Sequence, residues 1–238
     1  MNSSYRFSCA FIFALLTATT FAQSSERLTW NFNDPAKTQL TALNPAWTND
    51  LDQTTTTGKG ALRIRRTINT PANSFAELPA SFGKQPLWIL VRVSAWSLSG
   101  TTNESVRLGL SSNDEAKSPS VIAQVKFERV EKEMKLTAES FPSSLPGSSL
   151  ATATVGKGAA GGGVTVLLHI DPVSRTYRAS YKLAKSKDWL PLGEGTISKG
   201  RTAKFVRLGL SGPFDTNRPE QFDLDEIIVS TSDLSHEQ

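Results

Sequence analysis

The chain has one cysteine in 238 residues, Cys9, placed within its first apolar stretch. A lone thiol closes no intramolecular disulfide, so a disulfide-stapled scaffold is excluded, and stability must come from a buried core or from a core and a bound ion. No segment approaches the roughly 20 consecutive apolar residues that a membrane-spanning helix needs. A one-signed charge is missing as well: Lys and Arg number 26 against 22 Asp and Glu, scattered along the chain. That balance makes nucleic acid a poor partner and reads as a solvated surface. Good helix formers do not gather at helical spacing, whereas Thr, Ser, Val and Leu crowd the body of the chain. The remaining balance, 38% hydrophobic and 20% charged, is globular and excludes collagen, coiled coil and wholesale disorder. An all-β protein is the expectation.

The first residues read as an address. Met1 to Arg6 carry one positive charge, Phe7 to Leu16 form a short apolar run, and Thr20-Phe21-Ala22 places a small residue before Gln23. This is the layout of a cleaved secretory signal over residues 1–22, which predicts a secreted or periplasmic protein with a single β-sandwich domain over 23–238. A lipoprotein cysteine would stand at the cleavage point; Cys9 stands at the front of the apolar run and leaves with the signal.

Period-2 alternation dominates from Leu28 to Ser230, in segments bounded by Gly, Pro, Asn, Asp and Ser, and predicts about a dozen strands. Val121, Ala123, Val125 and Phe127 alternate with Ile122, Gln124, Lys126 and Glu128, so the first set should face a core. In the longest such segment Leu87, Ile89, Val91, Val93 and Ala95 take one side, which puts Trp88, Leu90, Arg92, Ser94 and Trp96 on the other. The hexapeptide Val-Arg-Leu-Gly-Leu-Ser occurs at 106–111 and again at 206–211. Nothing around the copies matches, so they read as two strands in similar environments, with Val106, Leu108, Leu110, Val206, Leu208 and Leu210 inward and Arg107, Gly109, Arg207 and Gly209 outward. Pro142 to Gly163 is rich in Ser, Ala, Thr and Gly and is expected to be a long exposed loop. Asn69–Pro86 reads as turns around a short strand, and Asp171–Ser174 as a turn between two strands.

The order of these features resembles the concanavalin A-like (laminin-G-like) jelly roll. The resemblance lies in an early Trp30-x-Phe32 strand, Val164–Asp171 followed by a turn and a Tyr177–Tyr181 strand, Trp189-x-x-Leu192-Gly193, and a closing Phe222-Asp223-Leu224-Asp225-Glu226-Ile227-Ile228-Val229. It implies two antiparallel sheets packed face to face, one of them concave, with polysaccharide bound or cleaved on the concave side.

The catalytic signatures of that superfamily are not matched. Its retaining glucanases use Glu-x-Asp-x-x-Glu, which sets two carboxylates about 5 Å apart across the glycosidic bond; here the nearest run is Asp223-x-Asp225-Glu226. Its alginate-lyase-like members use Arg-x-Glu-x-Arg and Gln-x-His strands, whereas here Arg63-x-Arg65 lacks the Glu and His169 follows Leu167-Leu168. No catalytic residue is assigned.

The candidate carbohydrate contacts are Trp88, Arg92, Trp96, Arg107, His169 and Arg207. Indole faces stack on the C–H side of a pyranose, and guanidinium forks bind hydroxyl or carboxylate oxygens. Arg63, Arg65, Arg107 and Arg207 would enrich the Trp88 face if their strands share its sheet, favouring an anionic glycan. His169, on the outward side of Val164–Ile170, is a conceivable general base, and Tyr177 and Tyr181 read as core. Asn33, Asp34 and Asp225 would supply oxygen ligands to a structural calcium where first and last strands meet, or else cap turns. The leading expectation is non-catalytic carbohydrate recognition; the alternatives are a polysaccharide lyase or glycoside hydrolase, and a structural or adhesive surface module.

Overall fold

The computed structural model describes residues 25–32, 39–49, 51, 53–56, 60–66, 71–98, 104–115, 120–142, 148–157, 160–161, 163–211 and 220–237. The segment read as a secretory signal lies outside them, as do Asn33 and Asp34.

The strands in chain order are β1 (Arg27–Asn31), β2 (Gln53–Thr56), β3 (Leu62–Arg66), β4 (Ala72–Glu77), β5 (Leu87–Ser97), β6 (Ser105–Ser111), β7 (Val121–Val130), β8 (Glu133–Ser140), β9 (Ser148–Lys157), β10 (Ala160–Gly161), β11 (Val164–Asp171), β12 (Thr176–Leu183), β13 (Leu190–Thr196), β14 (Phe205–Ser211) and β15 (Glu220–Ser230). The larger sheet runs β13-β12-β11-β5-β15-β3-β2, with β1 added on β15 and β10 on β5; the smaller runs β4-β14-β6-β7-β8-β9. Every pairing is antiparallel. Among the described residues helix is confined to two single turns of 3-10 helix, Leu40–Ala42 and Phe82–Lys84. The protein is a two-sheet antiparallel β-sandwich.

Alternation explains the core. Leu87, Ile89, Val91 and Val93 on β5 and Val164, Val166, Leu168 and Ile170 on β11 meet Val106, Leu108, Leu110, Val125 and Leu136 from the other sheet in one buried cluster. Trp30 and Phe32 are each 1% exposed, and Tyr177, Ala179 and Tyr181 of β12 are buried with them. Tyr177 donates its hydroxyl hydrogen across the sandwich to the Gln124 carbonyl of β7 at 3.0 Å, tying the sheets together. Burial holds that phenol well above its ordinary pKa, so it remains the donor.

The two copies of the hexapeptide are neighbours. β6 and β14 pair about Leu108↔Leu208, so Arg207 stands opposite Gly109 and Arg107 opposite Gly209. Local pattern predicts the inward leucines and valines but not that one copy is the other's partner.

Three expectations are corrected. Trp96 is not on the Trp88 face: β5 pairs β15 as Leu224↔Val93 and then Asp223↔Ala95, leaving Ser94 without a partner. A bulge residue resets the alternation beyond it. Trp96 therefore turns into the core at 0% exposure, edge-on to Phe127 with ring centroids 5.3 Å apart. Second, the expected loop Pro142–Gly163 contains β9, hydrogen-bonded to β8 as the edge of the smaller sheet. Its small residues still alternate: Ala153 and Val155 pack against the core while Thr152 and Thr154 are exposed. Third, Arg107 and Arg207 lie in the smaller sheet, whereas Arg63, Arg65, Trp88 and Arg92 lie in the larger. Their strands do not share one face.

Candidate functional site

The outer face of the larger sheet carries a second, smaller apolar cluster. Leu90 of β5, Leu167 of β11 and Ile228 of β15 project away from the main core and are covered by Leu234 of the C-terminal segment, with Trp88 and Trp189 packed at the edge. That segment is anchored: the Thr231 amide donates to the Glu26 carbonyl at 3.1 Å, and Arg27 and Glu237 form an ion pair at 2.5 Å. Beside the cluster opens a groove of about 620 Å³, lined by Trp88, Leu167, His169, Arg178, Trp189 and Asp233 among others.

Strand register assembles this groove. Ser230, Trp88, His169, Arg178 and Glu194 are successive cross-strand partners on β15, β5, β11, β12 and β13, forming one transverse row. Cross-strand neighbours have Cβ atoms about 5 Å apart, within reach of ring contact. Trp88 and His169 accordingly stack, with centroids 4.3 Å apart and planes inclined by 27°. Arg178 Nε lies 3.5 Å from Glu194 Oε2, both largely exposed, so this pair contributes little stability and both groups are free to reorganise toward a ligand. Trp189 is oriented by its indole N–H, which donates to the Ser235 carbonyl at 2.9 Å, and the Lys182 ammonium sits 4.9 Å from the ring centroid.

Burial depresses the His169 imidazole below its ordinary value of 6.5, opposed by Asp171 and Asp233 and reinforced by Arg178. Its Nε2 is buried without a hydrogen-bond partner. The ring is neutral at neutral pH. Because the unfolded chain takes up this proton first, stability should fall as the pH drops below about 6.5, until the folded ring also protonates. Urea midpoints at pH 7.5 and pH 5.5 should therefore differ less in His169→Gln than in the unmodified protein. An equal difference in both would mean that the folded ring titrates as freely as the unfolded one.

The other sequence candidates lie elsewhere. Arg92 is on the same face but ion-pairs with its cross-strand partner Glu226 and does not line the groove. Trp96 is in the core. Arg107 and Arg207 belong to the opposite sheet. Asp225 is the residue skipped at the β15 irregularity; burial raises its pKa, opposed by a hydrogen bond from Ser94. Among the described residues no three His, Cys, Asp or Glu side chains gather as a metal-ligand set. Trp189 carries no signal of this role in the sequence beyond its fold pattern, because its approach to Trp88 depends on the β11–β12–β13 pairings and the C-terminal cover.

No protein-family profile matches the chain, and no curated protein matches it by sequence. Solved structures do. The Emp46p carbohydrate recognition domain in its potassium-bound form superimposes with a TM-score of 0.60 at 12% identity, covering 86% of this chain and 97% of that one. The VIP36 exoplasmic/lumenal domain bound to Ca2+ and Man3GlcNAc gives 0.56 at 11% identity, covering 82% and 86%. The Emp47p carbohydrate recognition domain gives 0.53 at 12% identity, covering 84% and 93%. Among the described residues no helix is long and apolar enough to cross a membrane. At such identities the likeness is one of fold, and the fold of this chain is the concanavalin A-like jelly roll, the two-sheet sandwich of the Emp46p and Emp47p domains.

Proposed function

We propose that this chain is a secreted or periplasmic carbohydrate-binding protein of lectin type that binds a glycan in the Trp88/His169/Trp189 groove without cleaving it. The observation that carries the reading is the groove itself: half-buried indoles, one held by an imidazole stack and the other by an N–H bond, beside exposed Arg178, Glu194 and Asp233. Rigid aromatic planes supply apolar area for a pyranose face at little entropic cost, and the flanking charged groups are matched to hydroxyls. The shared fold with recognition domains, one of them solved with Man3GlcNAc bound, supports the same class. Residues 1–22 support export.

The test is a glycan array, followed by calorimetry on each hit with Trp88→Ala and Trp189→Ala. Each truncation should weaken binding by about 1–3 kcal/mol, as for a hot-spot aromatic, measured at a temperature where urea or thermal unfolding shows the variant folded. Binding unaffected by both would overturn the assignment of the groove. A second reading is glycan cleavage, with the His169 imidazole, which lines the groove and is neutral at neutral pH, as the base. Reducing ends or absorbance at 235 nm appearing on incubation with a hit, and lost in His169→Gln, would establish that reading instead.

A further inference from the structure

The outer face of the smaller sheet carries a charged network in which two arginines have no carboxylate partner among the described residues. One transverse row runs Phe75, Arg207, Gly109, Gln124 and Glu139 across β4, β14, β6, β7 and β8; the next runs Asn73, Gly209, Arg107, Lys126 and Thr137. Arg207 is 6% exposed, and all its hydrogen bonds go to neutral amides: Nε and one terminal nitrogen donate to Asn73 Oδ1 at 2.9 and 2.6 Å, and the other donates to Gln124 Oε1 at 2.6 Å. A Cβ on Gly209 would lie 2.5 Å from a terminal nitrogen of Arg207, so the guanidinium lies over that glycine, opposite Arg107. The glycine of the hexapeptide is thus what lets one copy's arginine lie beside the other's.

The two carboxylates nearest the arginine pair are engaged with Lys126. Glu139 lies 3.6 Å from Lys126 Nζ and accepts from Gln124 Nε2 at 2.6 Å; Glu128 lies 3.1 Å from the same ammonium and accepts from the Thr137 hydroxyl at 3.0 Å. Among the described residues no carboxylate comes within ion-pair distance of either guanidinium, and Arg107 donates only to the Ser211 hydroxyl. Glu139 and Glu128 act on Arg107 through space, but neither is its hydrogen-bond partner. Burial lowers the pKa of both arginines, that of Arg207 to about 10, with the neighbouring Arg107 charge as its second cause. An unpaired buried charge is costly, and a guanidinium has five donors in a fork that matches a carboxylate.

We propose that the paired hexapeptides form a second binding site, distinct from the aromatic groove, in which the partly exposed Arg107 binds the carboxylate of an acidic saccharide and Arg207 is the positioning residue behind it. The guanidinium of Arg107, hydrogen-bonded among the described residues to one hydroxyl, keeps donors for a carboxylate. The saccharide part rests on the carbohydrate reading above; the anion site does not.

The probes are trigalacturonate and the neutral maltotriose, titrated calorimetrically into the full chain. Trigalacturonate should bind, with affinity reduced roughly 10- to 100-fold in Arg107→Met and less in Arg107→Lys, which keeps the charge but loses the fork. Lys84→Met, which removes an exposed positive charge elsewhere, should leave binding unchanged. Thermal unfolding of each variant separates lost binding from lost fold. Equal binding of maltotriose, no binding of trigalacturonate to any variant, or loss in Trp189→Ala with Arg107→Met intact would each overturn the site. The last of these would leave the groove reading standing.

Discussion

Trp96→Ala should lower the stability of the fold by about 3–5 kcal/mol, read as a shift in the urea midpoint at constant slope. The indole is fully buried, edge-on to Phe127, which in turn meets Phe222 edge-on at 5.0 Å. Truncation would therefore open a cavity where three aromatic rings from β5, β7 and β15 interlock. Glycan affinity, measured under conditions where the variant remains folded, should be unchanged. A stability loss below about 1 kcal/mol would mean that Trp96 faces outward, as uninterrupted alternation along β5 predicts.

Arg63→Ala should be the second large loss, about 3 kcal/mol, because it strands a carboxylate. Arg63 and Asp223 are cross-strand partners on β3 and β15, joined by two hydrogen bonds of 2.7 Å in a bidentate fork, and Asp223 is 5% exposed. Removing one member of a buried pair leaves an uncompensated charge; water reaches the partly exposed Arg63 side, which keeps the loss at the low end of the range. The double variant Arg63→Met/Asp223→Leu should recover most of the stability, since two apolar groups remove the desolvation cost together. If the double variant were as unstable as Arg63→Ala, packing of the arginine stem and not its charge would be what matters.

The all-β class, the inward faces of both hexapeptides and the burial of Tyr177 and Tyr181 are legible in the chain alone, because side-chain direction in a strand repeats every two residues and burial selects the apolar set. His169 on the outward side of β11 follows from the same rule, and so does Trp88. The rule counts residues, however, and it fails where a residue is not counted. At the irregularity that leaves Ser94 and Asp225 unpaired, one extra position sends Trp96 to the opposite face, a displacement imposed by β15 from more than 120 residues away.

Composition is a weaker guide than register in the same way. The Ser, Ala and Thr of β9 read as loop because they are small and polar, yet an edge strand needs only one buried side, and Ala153 and Val155 supply it. Local pattern determined which residues of this protein are apolar partners and which strands exist. Which strand lies beside which was decided only in the tertiary structure. That choice made a row of Trp88, His169, Arg178 and Glu194 out of four separate strands, and set Arg107 beside Arg207 on the far sheet. The physical reason is that antiparallel pairing is specified by the whole buried face and by loop closure over long separations, whereas alternation within a strand is specified by its own residues.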